Sequence, residues 1–136
     1  MTGHIRIISF GYGHPDAPPM ADLTVDTRRQ LRNPHHDPIM RDLTGLDAAV
    51  RRHVLATPGA TCVIDIAAAY ALSMRAAGGQ VVRVAIGCTG GRHRAVALAE
   101  AVAARVRAGG VPAEVVHRDV AKPLLPLTTH GAGGEQ

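Results

Sequence analysis

The chain has 136 residues, 46% of them hydrophobic, which is enough for one domain that buries roughly two-thirds of the surface its unfolded form exposes. A formal net charge of +4 and a pI near 9.8 favour an anionic partner, such as phosphate, nucleotide or RNA, over a cationic one. No apolar run approaches the ~20 residues of a membrane span, and Met1-Thr2-Gly3-His4-Ile5 forms neither a signal peptide nor a polybasic anchor, so a cytoplasmic protein with no membrane partner is expected.

His4 to Phe10 alternates and then turns apolar through Ile5, Ile7, Ile8 and Phe10, the pattern of a strand entering a sheet. It stops at Gly11-Tyr12-Gly13, and the prolines at 15, 18 and 19 keep the next segment irregular. Asp22 to Asp26 (DLTVD) predicts a short second strand with Leu23 and Val25 on one face. Gln30 to Gly45 (QLRNPHHDPIMRDLTG) has two prolines and little periodicity, a long connection of the kind that usually has a function. It holds Asn33, His35, His36, Asp37 and Arg41, and could cover the mouth of an anion site.

Thr44 to Asp47 has the form of a capping box, and Leu46, Ala49, Val50, His53 and Val54 follow at helical spacing, predicting a helix to about Ala56. After Pro58-Gly59 a second helix is predicted from Thr61 through Ile66, Tyr70 and Met74 to Gly78-Gly79, with Cys62 a small apolar residue on a helix face. Val81 to Ile86 is an apolar run of strand length ending at Gly87. Cys88-Thr89-Gly90-Gly91-Arg92-His93-Arg94 follows, then an alanine-rich helix stopped by Gly109-Gly110, and Pro112 to His117 supplies a last strand. Periodicity fails from Pro123, so a domain over 1–122 with a disordered tail over 123–136 is expected. The predicted fold is α/β, a three-layer sandwich with a mostly parallel sheet of about four strands and three main helices, and with the ligand at the carboxyl edge of the sheet.

Strand, glycine loop and helix in that order place free backbone N–H groups and the positive end of a helix dipole at a strand tip. Gly90 and Gly91 permit positive φ and close approach, so successive amides can form a nest, and Arg92 and Arg94 can each hold two phosphate oxygens. A Walker loop is excluded because no Gly-Lys-Ser/Thr ending is present. Cys88 and Arg94 also satisfy C-x-x-G-x-x-R, the spacing of cysteine-dependent phosphatases, in which a thiolate attacks phosphorus while Arg clamps the oxygens. Gly87 and Ala95 depart from that pattern, and no general-acid aspartate is assigned, although Asp26, Asp37 and Asp42 are candidates. His35, His36, Asp37, Cys88 and His93 have no standard zinc spacing and lie beside two arginines, so neither metal nor cofactor is expected. Phe10, Tyr12 and Tyr70 are the only aromatics, so RNA binding would have to rest on backbone charge. Cys62 and Cys88 form no CxxC pair and are expected to be reduced.

The stretches SFGY at Ser9, DLTVDTR at Asp22, NPHHDP at Asn33, LTGLD at Leu43, VAIGCTGGRHRAVALAE at Val84 and VHRDV at Val116 resemble the C-terminal domain of RapZ, the RNase adapter proteins. They run in the family's order to about Lys122, and no counterpart of the family's N-terminal P-loop ATPase half stands among the 136 residues. The resemblance implies a sugar-phosphate-binding fold that senses glucosamine-6-phosphate, binds small regulatory RNA and supports homo-oligomers. By matching position it implies His35, Thr89, Gly90, His93 and Arg94 as ligand residues, with Cys88 beside them; Gly91 and Arg92 complete the loop. The basic cluster that ends the family's domain is reduced here to Lys122 followed by PLLPL. The expectation is therefore a regulatory domain for a small phosphorylated ligand, with phosphatase as the alternative.

Overall fold

The computed structural model describes residues 4–78 and 80–126. Among them are four strands, β1 (Ile5–Gly11), β2 (Leu23–Asp26), β3 (Val82–Cys88) and β4 (Ala113–His117), and three α-helices, α1 (Ala48–Leu55), α2 (Ala60–Gly78) and α3 (Arg94–Ala108). All neighbouring strands are parallel, in the order β2-β3-β1-β4.

That order decides where each connection runs. The crossovers β2→β3 and β3→β4 step the same way along the sheet, so right-handedness puts α1, α2 and α3 on one face, where α2 packs along α3. The β1→β2 connection steps the other way and passes over the opposite face. There the Phe10 ring meets Tyr12 edge-on at 4.7 Å between centroids, and Arg28 stacks over Tyr12 at 3.8 Å. Helices, sheet and this irregular covering form the layers of an α/β sandwich.

On the helix face Ile5, Ile7, Val84 and Ile86 meet Ala95, Leu98, Val102 and Val106 of α3, all buried. Alanines at 95, 97, 99 and 103 keep α3 thin, so that α1 and α2 both pack closely against it while α2 also reaches the sheet. One polar relay crosses this core. The Glu100 carboxylate accepts from His117 Nε2 at 2.7 Å, so His117 Nδ1 is free to accept from the Ser9 hydroxyl at 2.6 Å.

Three expectations change. The Thr44–Asp47 box forms, with Asp47 accepting from the Thr44 amide at 2.8 Å, but it closes a turn ahead of α1, and Leu46 faces solvent. Cys62 is exposed rather than packed, because α2 buries only Ala60, Ala67, Ala68 and Ala71. By length and composition alone α2 is apolar enough to cross a membrane, although it lies along α3 and β3. Of the expected tail, residues 123–126 are described and lie across the loop site; 127–136 fall outside the described residues.

Candidate anion-binding site

β3 ends at Cys88 and α3 begins at Arg94, so residues 89–93 form the turn at the carboxyl edge of the sheet. Its orientation follows from where its carbonyls go. Cys88 and Thr89 accept from the amides of Tyr12 and Gly13, both at 2.8 Å, and Gly90 accepts from the His14 ring at 3.0 Å. Because a trans peptide points its N–H opposite its C=O, the amides of Thr89, Gly90 and Gly91 all turn to the other side. There the Gly91 amide donates to Cys88 Sγ at 3.2 Å. This is the one-sided amide arrangement of an anion nest.

The loop lies so near β1 that only glycine fits. Gly91 has φ +71°, and a Cβ there would come within 2.6 Å of the Gly11 nitrogen; a Cβ on Gly11 would meet the Gly90 carbonyl carbon at 2.5 Å. The same junction holds Asp119, whose buried carboxylate accepts from the Gly11 amide at 2.7 Å, from Arg118 at 2.9 Å and from Lys122 at 2.6 Å. Burial works to raise the Asp119 pKa, but these donors overcome it and hold the carboxyl down to about 2.

A pocket opens beside the loop. Gly90, Arg92 and His93 line it together with His35, which the 3-10 turn Pro34–His36 presses inward after Asn33 Oδ1 accepts from the His35 amide at 3.1 Å. From the long connection, His35 is the residue that reaches the pocket lining. His35 is buried, and its pKa is lowered first by that burial and then by the positive charges of Arg41, His36, Arg94 and Arg92. Among the described residues no carboxylate lines the pocket. Burial is the larger cause; the cations around the ring add to it, and they are what would favour an anion there.

The remaining predicted residues divide. Arg94, 1% exposed, lies behind the loop and donates to the Arg28 carbonyl at 2.9 Å and the Thr89 hydroxyl at 3.4 Å. Arg92 donates to the carbonyls of Asp42, Leu43 and Lys122, so it ties three segments together at the rim. Cys88 is buried in the core cluster beneath the loop. Asp26, Asp37 and Asp42 contribute no lining carboxylate. Among the described residues no group of three or more His, Cys, Asp or Glu side chains could hold a metal ion. Arg41 went unassigned in the sequence, yet its Nε donates to the His35 carbonyl at 2.8 Å and its own carbonyl accepts from His93 Nε2 at 3.0 Å. Its only sequence signal was membership of the long connection.

Burial pushes the His93 pKa down to about 4 from its usual 6.5. A histidine depressed in the folded state binds fewer protons there than in the unfolded chain, so stability is present above pH 6.5 and is lost as pH falls toward 4. At about 1.4 kcal/mol per unit the loss is up to about 3 kcal/mol, with His35 acting in the same direction. Urea midpoints at pH 7.5 and 5 are expected to show the drop, and His93→Gln is expected to flatten it. Equal midpoints at the two pH values would refute the assignment.

Fold and site together define a parallel α/β domain with an anion-type loop at the carboxyl edge of its sheet. The chain belongs to the RapZ C-terminal domain family, which matches residues 3–121. It is similar to a nucleotide-binding protein of Thermus thermophilus, 46% identical over 119 residues covering 85% of this chain and 42% of that protein. It is also similar to one of Parafrankia sp., 46% identical over 123 residues (85% and 41%), and to one of Thermobifida fusca, 42% identical over 121 residues (86% and 40%). The chain thus spans about two-fifths of the length of these curated relatives. The family supports a regulatory role for the domain.

Proposed function

We propose that the domain is a sensor that binds a small phosphorylated metabolite, an amino-sugar phosphate such as glucosamine-6-phosphate, at the Cys88–Arg94 loop with His35 reaching in. The observation that carries this reading is the coincidence of one-sided loop amides with a pocket lined by Arg92 and Lys122 and, among the described residues, by no carboxylate. Phosphate oxygens accept from the amides and from guanidinium groups, while the sugar lies toward His35. Titration calorimetry against inorganic phosphate, glucosamine-6-phosphate, glucose-6-phosphate and AMP tests it. The amino-sugar phosphate is expected to bind best, and Thr89→Val to weaken it about tenfold, the effect of one hydrogen bond to a charged group. Silence across the whole panel would end the reading.

The Gly91 amide on Cys88 Sγ favours a second reading, since a thiolate at the base of a phosphate loop is held in this way. Turnover of an aryl phosphate that vanishes in Cys88→Ser would establish a phosphatase. Binding without turnover would leave the sensor.

A further inference from the structure

The pocket has a lid. Besides the loop and His35 it is lined by Lys122, Pro123, Leu124 and Leu125, a segment with neither helix nor strand that lies across its mouth. The cavity left beneath it is about 10 Å³, room for about one water molecule. Sites for small organic ligands are about 300–1,000 Å³, so with the segment in place a hexose phosphate is not accommodated.

We propose that Lys122–Leu125 is an autoinhibitory strap that seals the anion pocket and lifts when a sugar phosphate enters. The inference rests on the reading of the site given above. The strap is held unevenly. At its base the Lys122 amide donates to the Asp119 carbonyl at 3.1 Å, and Lys122 Nζ pairs with Asp119 at 2.6 Å and Asp16 at 2.8 Å. Beyond that anchor its hold is the apolar contact of two leucines, and Leu124 remains 36% exposed. A segment with few buried contacts and no ladder of backbone bonds opens at low free energy. Pro123 and Pro126 fix φ on either side of the leucine pair, so the strap swings as a stiff unit about Lys122.

Arg92 couples strap to ligand. Its Nη1 reaches the Lys122 carbonyl at 3.5 Å, the longest of its three bonds, while Nε holds Leu43 at 3.1 Å. Lifting the strap releases that N–H toward the pocket, where a phosphate oxygen is the stronger acceptor. Occupancy of the pocket and exposure of the chain beyond Lys122 therefore rise together.

The test compares the full chain with its Leu124→Ser/Leu125→Ser variant, both titrated with glucosamine-6-phosphate and with inorganic phosphate. The variant is expected to keep its unfolding midpoint and bind the sugar phosphate about tenfold more tightly, because it no longer displaces the leucines. Hydrogen exchange of the amides at 124 and 125 in the unaltered chain is expected to quicken on saturation with the sugar phosphate. Equal or weaker binding by the variant, or slower exchange on saturation, overturns the strap while leaving the site itself intact. Binding of neither phosphate by either protein overturns the site, and the strap with it.

Discussion

Gly91→Ala is expected to destabilise the domain by about 2–5 kcal/mol. Left-handed backbone costs an L-residue about 1–2 kcal/mol, and forcing an extra carbon into a packed region adds about 1–3 kcal/mol. The neighbours that a Cβ at 91 would meet are the Gly11 nitrogen at 2.6 Å and the Phe10 carbonyl carbon at 2.8 Å. Both belong to a central strand paired on each side, so neither can yield without moving the sheet. Against a total stability of about 5–15 kcal/mol such a loss is large. Gly78→Ala is the internal control. Nothing lies within 4 Å of a Cβ there, and alanine in a helix is expected to leave the midpoint unchanged or raise it. Urea unfolding of both variants decides the matter, and a Gly91→Ala midpoint equal to that of the unaltered chain would mean that loop and strand are not in backbone contact.

Arg94→Met is expected to cost about 2–4 kcal/mol and to abolish phosphate binding. Met nearly fills the volume but donates nothing, leaving the Arg28 carbonyl without its 2.9 Å donor and Thr89 unheld. A buried acceptor that loses its donor costs about 1–3 kcal/mol, and bonds from a charged donor stand at the upper end. Arg94→Lys keeps the charge but not the planar fork, and its one nitrogen cannot stand where both Nη1 and Nη2 of Arg94 stand. It is expected to recover part of the stability and little of the binding. Unfolding and titration of the two variants, taken together, separate charge from geometry. If Arg94→Met bound phosphate normally, the residue would be a prop for the fold alone.

Much of this arrangement is legible in the residues. Val81 to Gly109 reads directly as strand, loop and helix because an apolar run, a glycine pair and an uninterrupted alanine-rich stretch are local signals, and β3 and α3 follow them within a residue or two. The irregular stretch from Gln30 to Gly45 announces a function by its length, and it delivers His35 to the pocket. What escapes is whatever depends on distant partners. Thr44–Asp47 has the right letters for a cap, yet it closes a turn pressed against the start of α3, where a Cβ on Gly45 would meet the Ala97 nitrogen at 2.5 Å. The exposure of Cys62 depends on α2 being narrower in its contacts than its apolar composition suggests. Arg92 shows as a cation, but its three carbonyl partners come from positions 42, 43 and 122 and leave no local trace. Nor does KPLLP mark a covering segment, since its place across the pocket is set by Asp16 and Asp119.

Asp119 touches the floor and the cover of the pocket at once. Its Cβ would lie 2.9 Å from a side-chain carbon at Gly91, one oxygen takes the Gly11 amide, and the other pairs with Lys122. A small shift of the glycine turn is therefore felt at the hinge lysine through a single rigid group, without passing through the mouth of the cavity. The position of the covering segment is thus tied to the junction of Gly11, the glycine turn and Asp119, so substitutions at that junction bear on it without any of those residues lying in the segment itself.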